Sequence, residues 1–209
     1  MKISKHSHSC LLIEENSKRI LIDPGVYTEE DSSLSLDQLS SLEYILLTHN
    51  HSDHLSVSLI KKLVGKFPQV TIITNYEGIE TLEKDDIKAT NSSTSDITMI
   101  PAIHEKFLTQ VIPAENTLFT LFNRLTHPGD SFDFTTSSEI LALPITAPWG
   151  STTKAVEKAL EVRPKIIIPI HDWHWKDAAR QQFYSVLQGI FAKEGIDFKP
   201  LENNEMIEV

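Results

Sequence analysis

The chain has 209 residues, enough to bury a full core, and a 40 % hydrophobic, 23 % charged composition describes an ordinary globular protein. Its net charge of −10, with the basic residues dispersed, disfavours nucleic acid as a partner, because proteins that track phosphates carry a basic patch. A single cysteine, Cys10, excludes an internal disulfide framework, and no apolar run reaches the length of a membrane span, so a cytoplasmic address is expected.

No linker, low-complexity tract or repeat divides the sequence, and one domain over residues 1–209 is expected. The first quarter reads as short strands at about 2–6, 9–15 and 19–22, the last two joined by a hairpin turn at Glu15-Asn16-Ser17-Lys18. The third strand ends in Asp23-Pro24-Gly25, a strong turn signal, and the polar stretch 27–37 reads as loop with a helical turn near Leu36–Ser41. An apolar run, Tyr44–Leu47, breaks at once into Thr48-His49-Asn50-His51-Ser52-Asp53-His54. Helical spacing then places Leu55, Leu59, Ile60, Leu63, Val64 and Phe67 on one face. A strand at 70–74, a helix at 75–84 and a strand from Ile97 that leads to His104 follow. Residues 105–117 are open between loop and strand, and 118–122 is a strand running on towards His127-Pro128-Gly129-Asp130. The rest reads as strand 140–145, a helix capped by Ser151 or Thr152, strand 165–170 ending in His171, a helix over about 176–193 and a strand-like tail near Met206. Strands first, then repeated strand–helix alternation, predict an α/β sandwich.

Several of these strands end in a residue able to ligate or orient a metal: Asp23, His49 with His51, His104, Asp130 and His171. Apolar strands normally end in turn formers. Ligands at the ends of neighbouring strands would converge on one rim of a sheet, where α/β proteins tend to place their sites. His49, His51, Asp53 and His54 crowd four donors into a short loop, and in an HxHxDH array alternate positions can serve one ion while the next pair serves a second. Imidazole and carboxylate without thiolate suit Zn²⁺ first, with Mn²⁺ or Fe²⁺ as alternatives.

Together, Asp23 in LIDPG, THNHSDH at 48–54, His104, HPGD at 127–130 and IPIH at 168–171 resemble the motifs of the metallo-β-lactamase fold superfamily, in that family's order and over most of the chain. The opening His6-Ser7-His8-Ser9-Cys10 is similar to the HGHSC-like stretch of its ascorbate-6-phosphate lactonase and metal-dependent hydrolase group. The resemblance implies an αββα sandwich of two mixed sheets flanked by helices. It implies two divalent metal ions, the first held by His49, His51 and His104, the second by Asp53, His54 and His171, with Asp130 bridging. Asp23 would stand behind these, orienting a ligand histidine. His51 stands where the diiron oxidoreductases of that fold tend to carry a carboxylate, which favours hydrolysis. Pro128 departs from the small residue usual before Gly-Asp, and the segment between His104 and Asp130 is short for the group.

The implied reaction is hydrolysis of a small-molecule lactone, amide or phosphate ester by a hydroxide bridging ions about 3.5–4 Å apart. Asp53 is the candidate catalytic residue, His8, His127 and His174 are candidate proton donors, and Trp149, Trp173 and Trp175 are candidate walls. A phosphodiesterase or nuclease of the same fold and a non-catalytic metal-binding regulator are the alternatives.

Overall fold

The computed structural model describes residues 1–106, 108 and 112–209. Its contacts gather into two compact units, one of residues 1–93 with 201–209, the other of residues 94–200. Each unit is built on one six-stranded mixed sheet with helices against it.

In the first unit, β1 (Lys2–Lys5), β2 (Leu11–Glu15) and β3 (Lys18–Ile22) form an antiparallel meander, while β4 (Tyr44–Leu46) and β5 (Thr71–Ile73) add in parallel to β3. The β2–β3 hairpin turns at Asn16 and Ser17, both in the left-handed region at φ 50° and 61°, as a two-residue turn requires. Helix α1 (Val26–Glu30) occupies part of the stretch expected as loop. Five residues are too short to show a helical period, so only Pro24-Gly25 marked its start. A 3₁₀ turn over Leu36–Gln38 stands where a helical turn was expected.

Helices α2 (Val57–Lys66) and α3 (Tyr76–Glu83) begin at side-chain caps, Ser56 Oγ accepting the Leu59 N–H and Asn75 Oδ1 that of Gly78. Their apolar faces, with Leu59, Ile60, Leu63 and Leu82, pack in one cluster with Leu12, Leu21 and Ile45 of the strands and with Leu47 just beyond β4. Ile45 and Leu47 face these helices, and Leu46 between them is fully buried on the opposite face, so the stretch reads as an unbroken apolar run.

The second unit orders its strands β11-β10-β9-β8-β7-β6. These are β6 (Ile97–Ile103), β7 (Glu115–Leu121), β8 (Leu125–His127), β9 (Ile140–Pro144), β10 (Ile166–Ile170) and β11 (Asp197–Phe198). The strand expected to continue from 118 towards His127 is instead interrupted by a tight turn. Phe122 and Asn123 sit at φ 53° and 55° and fold β7 back onto β8. Asn accepts that conformation readily and Phe does not, so the turn carries half of the usual sequence signal. Residues 115–117 of the open segment belong to β7, while 107 and 109–111 lie outside the described residues. Pro101 falls in β6, the edge strand, where its missing N–H costs no ladder bond.

Helix α4 (Thr152–Val162), capped by Ser151 Oγ, and helix α5 (Asp177–Lys193) pack Ala155, Ala159, Leu187 and Phe191 against Leu141, Leu143 and Ile167. The tail forms β12 (Met206–Glu208) beside β1, in the first unit. Among the described residues no helix is long and apolar enough to cross a membrane.

Candidate metal centre

Parallel pairing brings the donor-bearing ends of the first sheet together. With Ile22 opposite Leu46, the next residue, Asp23, donates its N–H to the Leu46 carbonyl and turns a fully buried carboxylate towards Thr48. One oxygen, Oδ1, accepts the Thr48 N–H at 2.8 Å; the other accepts the Thr48 hydroxyl at 2.7 Å and lies 2.7 Å from His54 Nδ1. Thr48 Oγ1 is in turn 3.0 Å from Nδ1 of His49. A single carboxylate therefore orients His54 directly and His49 through a hydroxyl. Its backbone is left-handed at φ 49°, a conformation Asp tolerates better than most residues.

The loop is closed from behind by the Asp23-Pro24-Gly25 turn. Val26 donates its N–H to the Ser52 carbonyl and Ser56 donates to that of Pro24. Gly25 is required here by close approach, since a Cβ would lie 1.8 Å from the Asp53 carbonyl oxygen. Within the loop, His49 Nε2 and His51 Nδ1 are 3.1 Å apart, and His54 Nε2 is 3.8 Å from Asp53 Oδ2. His49 and His54 are fully buried, whereas His51 and Asp53 are half-buried at the mouth.

The second unit assembles its donors from three separate strand ends around Asp130. This carboxylate is buried and follows the left-handed Gly129, at φ 59°. Asn116 of β7 fixes the turn from below, accepting the Asp130 N–H at 3.0 Å and donating to the Pro128 carbonyl at 2.9 Å. Pro128, the departure from the usual pattern, thus supplies only a carbonyl. Asp130 Oδ2 lies 3.5 Å from His104 Nε2 and 3.3 Å from His171 Nε2, and it accepts a hydrogen bond from Trp149 Nε1 at 2.9 Å.

His171 follows β10 at φ 62°. The parallel register that sets Pro144 opposite Ile170 brings the Thr146 carbonyl 2.8 Å from His171 Nδ1. His104 Nδ1 meets the carbonyl of Glu105 in the same way. Behind His171, the buried Asp172 accepts the hydroxyl proton of Tyr184 from α5.

These donors fit divalent cations on their chemistry. A carbonyl oxygen only accepts, so Nδ1 of His104 and of His171 must carry the proton, and the Asp23 carboxylate imposes the same tautomer on His54. In each neutral ring Nε2 then holds a lone pair, and in each it faces a carboxylate oxygen. Two acceptors set together in a buried place repel unless a cation or a proton lies between them. Ligand atoms on a tetrahedral ion with bonds of about 2.0–2.1 Å stand about 3.3 Å apart. The His104–Asp130, His171–Asp130 and His49–His51 separations of 3.5, 3.3 and 3.1 Å bracket that edge.

Of the residues singled out from sequence, Asp23, His49, His51, Asp53 and His54 gather within the first unit, and His104, Asp130 and His171 within the second. Among the candidate proton donors, His127 is fully buried and its Nδ1 accepts the Gly129 N–H at 3.3 Å, so its ring serves the turn. His174 is exposed, its ring centroid 6.0 Å from that of His171. Of the three tryptophans, Trp149 reaches a donor carboxylate, whereas Trp175 stacks on Phe183. Thr48, Asn116 and Tyr184 were missed by sequence reasoning. A hydroxyl directly before the first histidine was the only available signal for Thr48; Asn116 and Tyr184 carry none.

The sequence matches the family model described as a beta-lactamase superfamily domain over residues 2–171, a span that draws on both units. A UPF0173 protein of Pyrococcus furiosus is 27 % identical over 99 % of this chain and 100 % of its own length. A UPF0173 metal-dependent hydrolase of Staphylococcus aureus is 25 % identical over 82 % of this chain and 85 % of its own. Among solved structures, the metallo-β-lactamase fold protein YhfI of Bacillus subtilis superposes with a TM-score of 0.71 at 15 % identity, covering 100 % of this chain and 99 % of that one. Two mixed sheets flanked by helices are thus the metallo-β-lactamase fold. With the family model spanning most of its length, the chain belongs to the beta-lactamase superfamily.

Proposed function

We propose that the protein is a metal-dependent hydrolase with two divalent ions, acting on a small-molecule lactone, amide or phosphate ester. Family membership supports the reading, as does the activity named for the Staphylococcus aureus relative. The observation that carries it is the tautomer pattern: three buried histidines are anchored through Nδ1 to a carbonyl or carboxylate, and each turns Nε2 towards an aspartate.

His49, His51 and His104 would hold the first ion, Asp53, His54 and His171 the second, and Asp130 both. When bound, two such ions supply an activated water near neutral pH and draw electrons from the bond to be cleaved. The chain's own contribution is orientation and charge. Asp23 fixes two imidazoles, Trp149 holds the Asp130 oxygen that faces both His104 and His171, and the half-buried Asp53 puts its carboxylate at the mouth of the loop, where a substrate arrives. Imidazole and carboxylate donors without thiolate favour Zn²⁺, with Mn²⁺ or Fe²⁺ next.

The test is metal analysis of natively purified protein, followed by lactone, anilide and phosphate-ester panels on the same preparation. About two equivalents and turnover of at least one class are expected, both diminished in His51→Ala and Asp130→Ala. Wild-type metal content and rates in both variants would overturn the proposal.

A further inference from the structure

The segment between β1 and β2 presents an additional imidazole to the donors of the first unit. Its path is tightly specified. The His6 N–H donates to the Cys10 carbonyl at 2.8 Å and the Cys10 N–H to that of Ser7 at 2.9 Å, closing a turn in which Ser7 and His8 are both left-handed, at φ 74° and 48°. Side chains lock the turn from outside: Thr28 Oγ1 donates to the His6 carbonyl, Ser7 Oγ to Asp31, and His6 Nδ1 lies 2.8 Å from the Ser33 carbonyl.

What this turn positions is His8. The residue is 2 % exposed, its ring edge-on to Tyr27 and to His54 with centroids at 5.1 and 5.6 Å. Nε2 reaches to 3.3 Å from Asp53 Oδ2, and the ligand atoms of His8, Asp53 and His54 all lie within 4.8 Å of one another.

We propose that His8 is a further metal ligand, binding the divalent ion assigned to Asp53 and His54; the inference rests on the metal reading of that pair and adds a donor to it. The 3.3 Å separation suits two ligands of one ion. Charge-assisted N–H···O contacts run at about 2.7–2.9 Å, whereas neighbouring ligands with bonds of about 2.0–2.1 Å to one ion stand about 3.0–3.4 Å apart, with four donors or with more. Burial points the same way, because a histidine used only for packing needs no carboxylate opposite its ring nitrogen. The left-handed backbone at Ser7 and His8 is what brings the ring to Asp53.

The experiment compares wild type, His8→Ala, His8→Asn and His54→Ala. Asn tolerates the left-handed backbone and serves as the fold-preserving variant should alanine fail to fold. Each metal-free protein is titrated with Zn²⁺ against a chelator of known affinity, and its Co²⁺ form is recorded by visible absorption. His8 as a ligand predicts that one of two equivalents weakens by at least about 10-fold in the His8 variants, with altered Co²⁺ band positions and intensities, while the other equivalent is unchanged. Unchanged affinities and Co²⁺ spectra in the His8 variants, with one equivalent lost in His54→Ala, would overturn the His8 proposal alone. Both equivalents retained in His54→Ala would instead overturn the metal reading of the Asp53–His54 pair, and the His8 assignment with it.

Discussion

The two units present their donors by opposite means. In the first, a single loop carries His49, His51, Asp53 and His54, and one carboxylate behind it, Asp23, holds two of the rings. In the second, donors arrive from the ends of β6, β8 and β10, and each has its own support: the Glu105 carbonyl for His104, Asn116 and Trp149 for Asp130, the Thr146 carbonyl for His171. A loop with a shared support concentrates dependence on one residue. Dispersed donors with separate supports spread it, except at Asp130, where one oxygen serves both neighbours. The lesson is that dependence on a shared group should be greatest at Asp130 in one unit and at Asp23 in the other, and weaker at the supports that serve a single donor.

The largest effect is expected from Asp130→Asn. If that carboxylate serves both ions, metal content falls below one equivalent and turnover drops by more than about 100-fold, exceeding what loss of an outer partner costs. Loss of a single equivalent, measured by elemental analysis, would break the comparison. Gly25→Ala comes next. The added methyl has no room against the Asp53 backbone, so a destabilisation on the order of 3 kcal/mol is expected, read as a shift of the denaturant midpoint.

Much of the first unit was legible in the sequence because its chemistry is local. Asp23-Pro24-Gly25 and the 48–54 loop display their residues side by side. In the second unit the strands at 140–145 and 165–170 and the Ser151 cap were legible, and His104, Asp130 and His171 stood out as strand-end donors, but their grouping came through resemblance. A lone His104, or an Asp in a Gly-Asp turn, carries only the weak signal of its place at a strand end, and nothing near Asn116 or Tyr184 says which distant carboxylate or turn it meets. The Phe122–Asn123 turn escaped for a related reason: the adjoining strands impose a backbone that Phe does not advertise.

A pair of variants sharpens the contrast between shared and separate supports. Asp23→Asn loses the carboxylate that fixes His54 and Thr48 and should weaken metal affinity by about 10- to 100-fold. Tyr184→Phe removes only the hydroxyl that holds Asp172, one residue beyond His171, and an effect of no more than about 10-fold is expected. Equal effects in chelator competition would mean that the supports are not organised as described.

The smallest effect concerns Glu29, which ties α1 to α2 by accepting from Ser56, Ser58 and Lys62. The Lys62 ammonium, then the Ser56 hydroxyl, hold its carboxyl down at about 2. A carboxyl lowered by folding contributes stability above its ordinary value of 4.5 and loses it as the pH falls towards 2. Glu29→Gln should therefore flatten the acid loss of stability of the metal-free protein across that window. The change should stay under about 1 kcal/mol, because Lys62 is largely exposed; urea unfolding at several pH values measures it.

The left-handed residues at the donors carry a kinetic consequence. Asp23 and His171 adopt that conformation at φ 49° and 62°, the first donating its N–H to the Leu46 carbonyl and the second holding the Thr146 carbonyl through its ring. Each costs about 1–3 kcal/mol locally and persists because the surrounding sheet over-determines it. Within each unit the donors are thus poised by the chain's own folding. Loading should be a capture event, first order in ion concentration with no slow conformational phase, and amide exchange in β3, β4 and β10 should be as slow before the ions arrive as after.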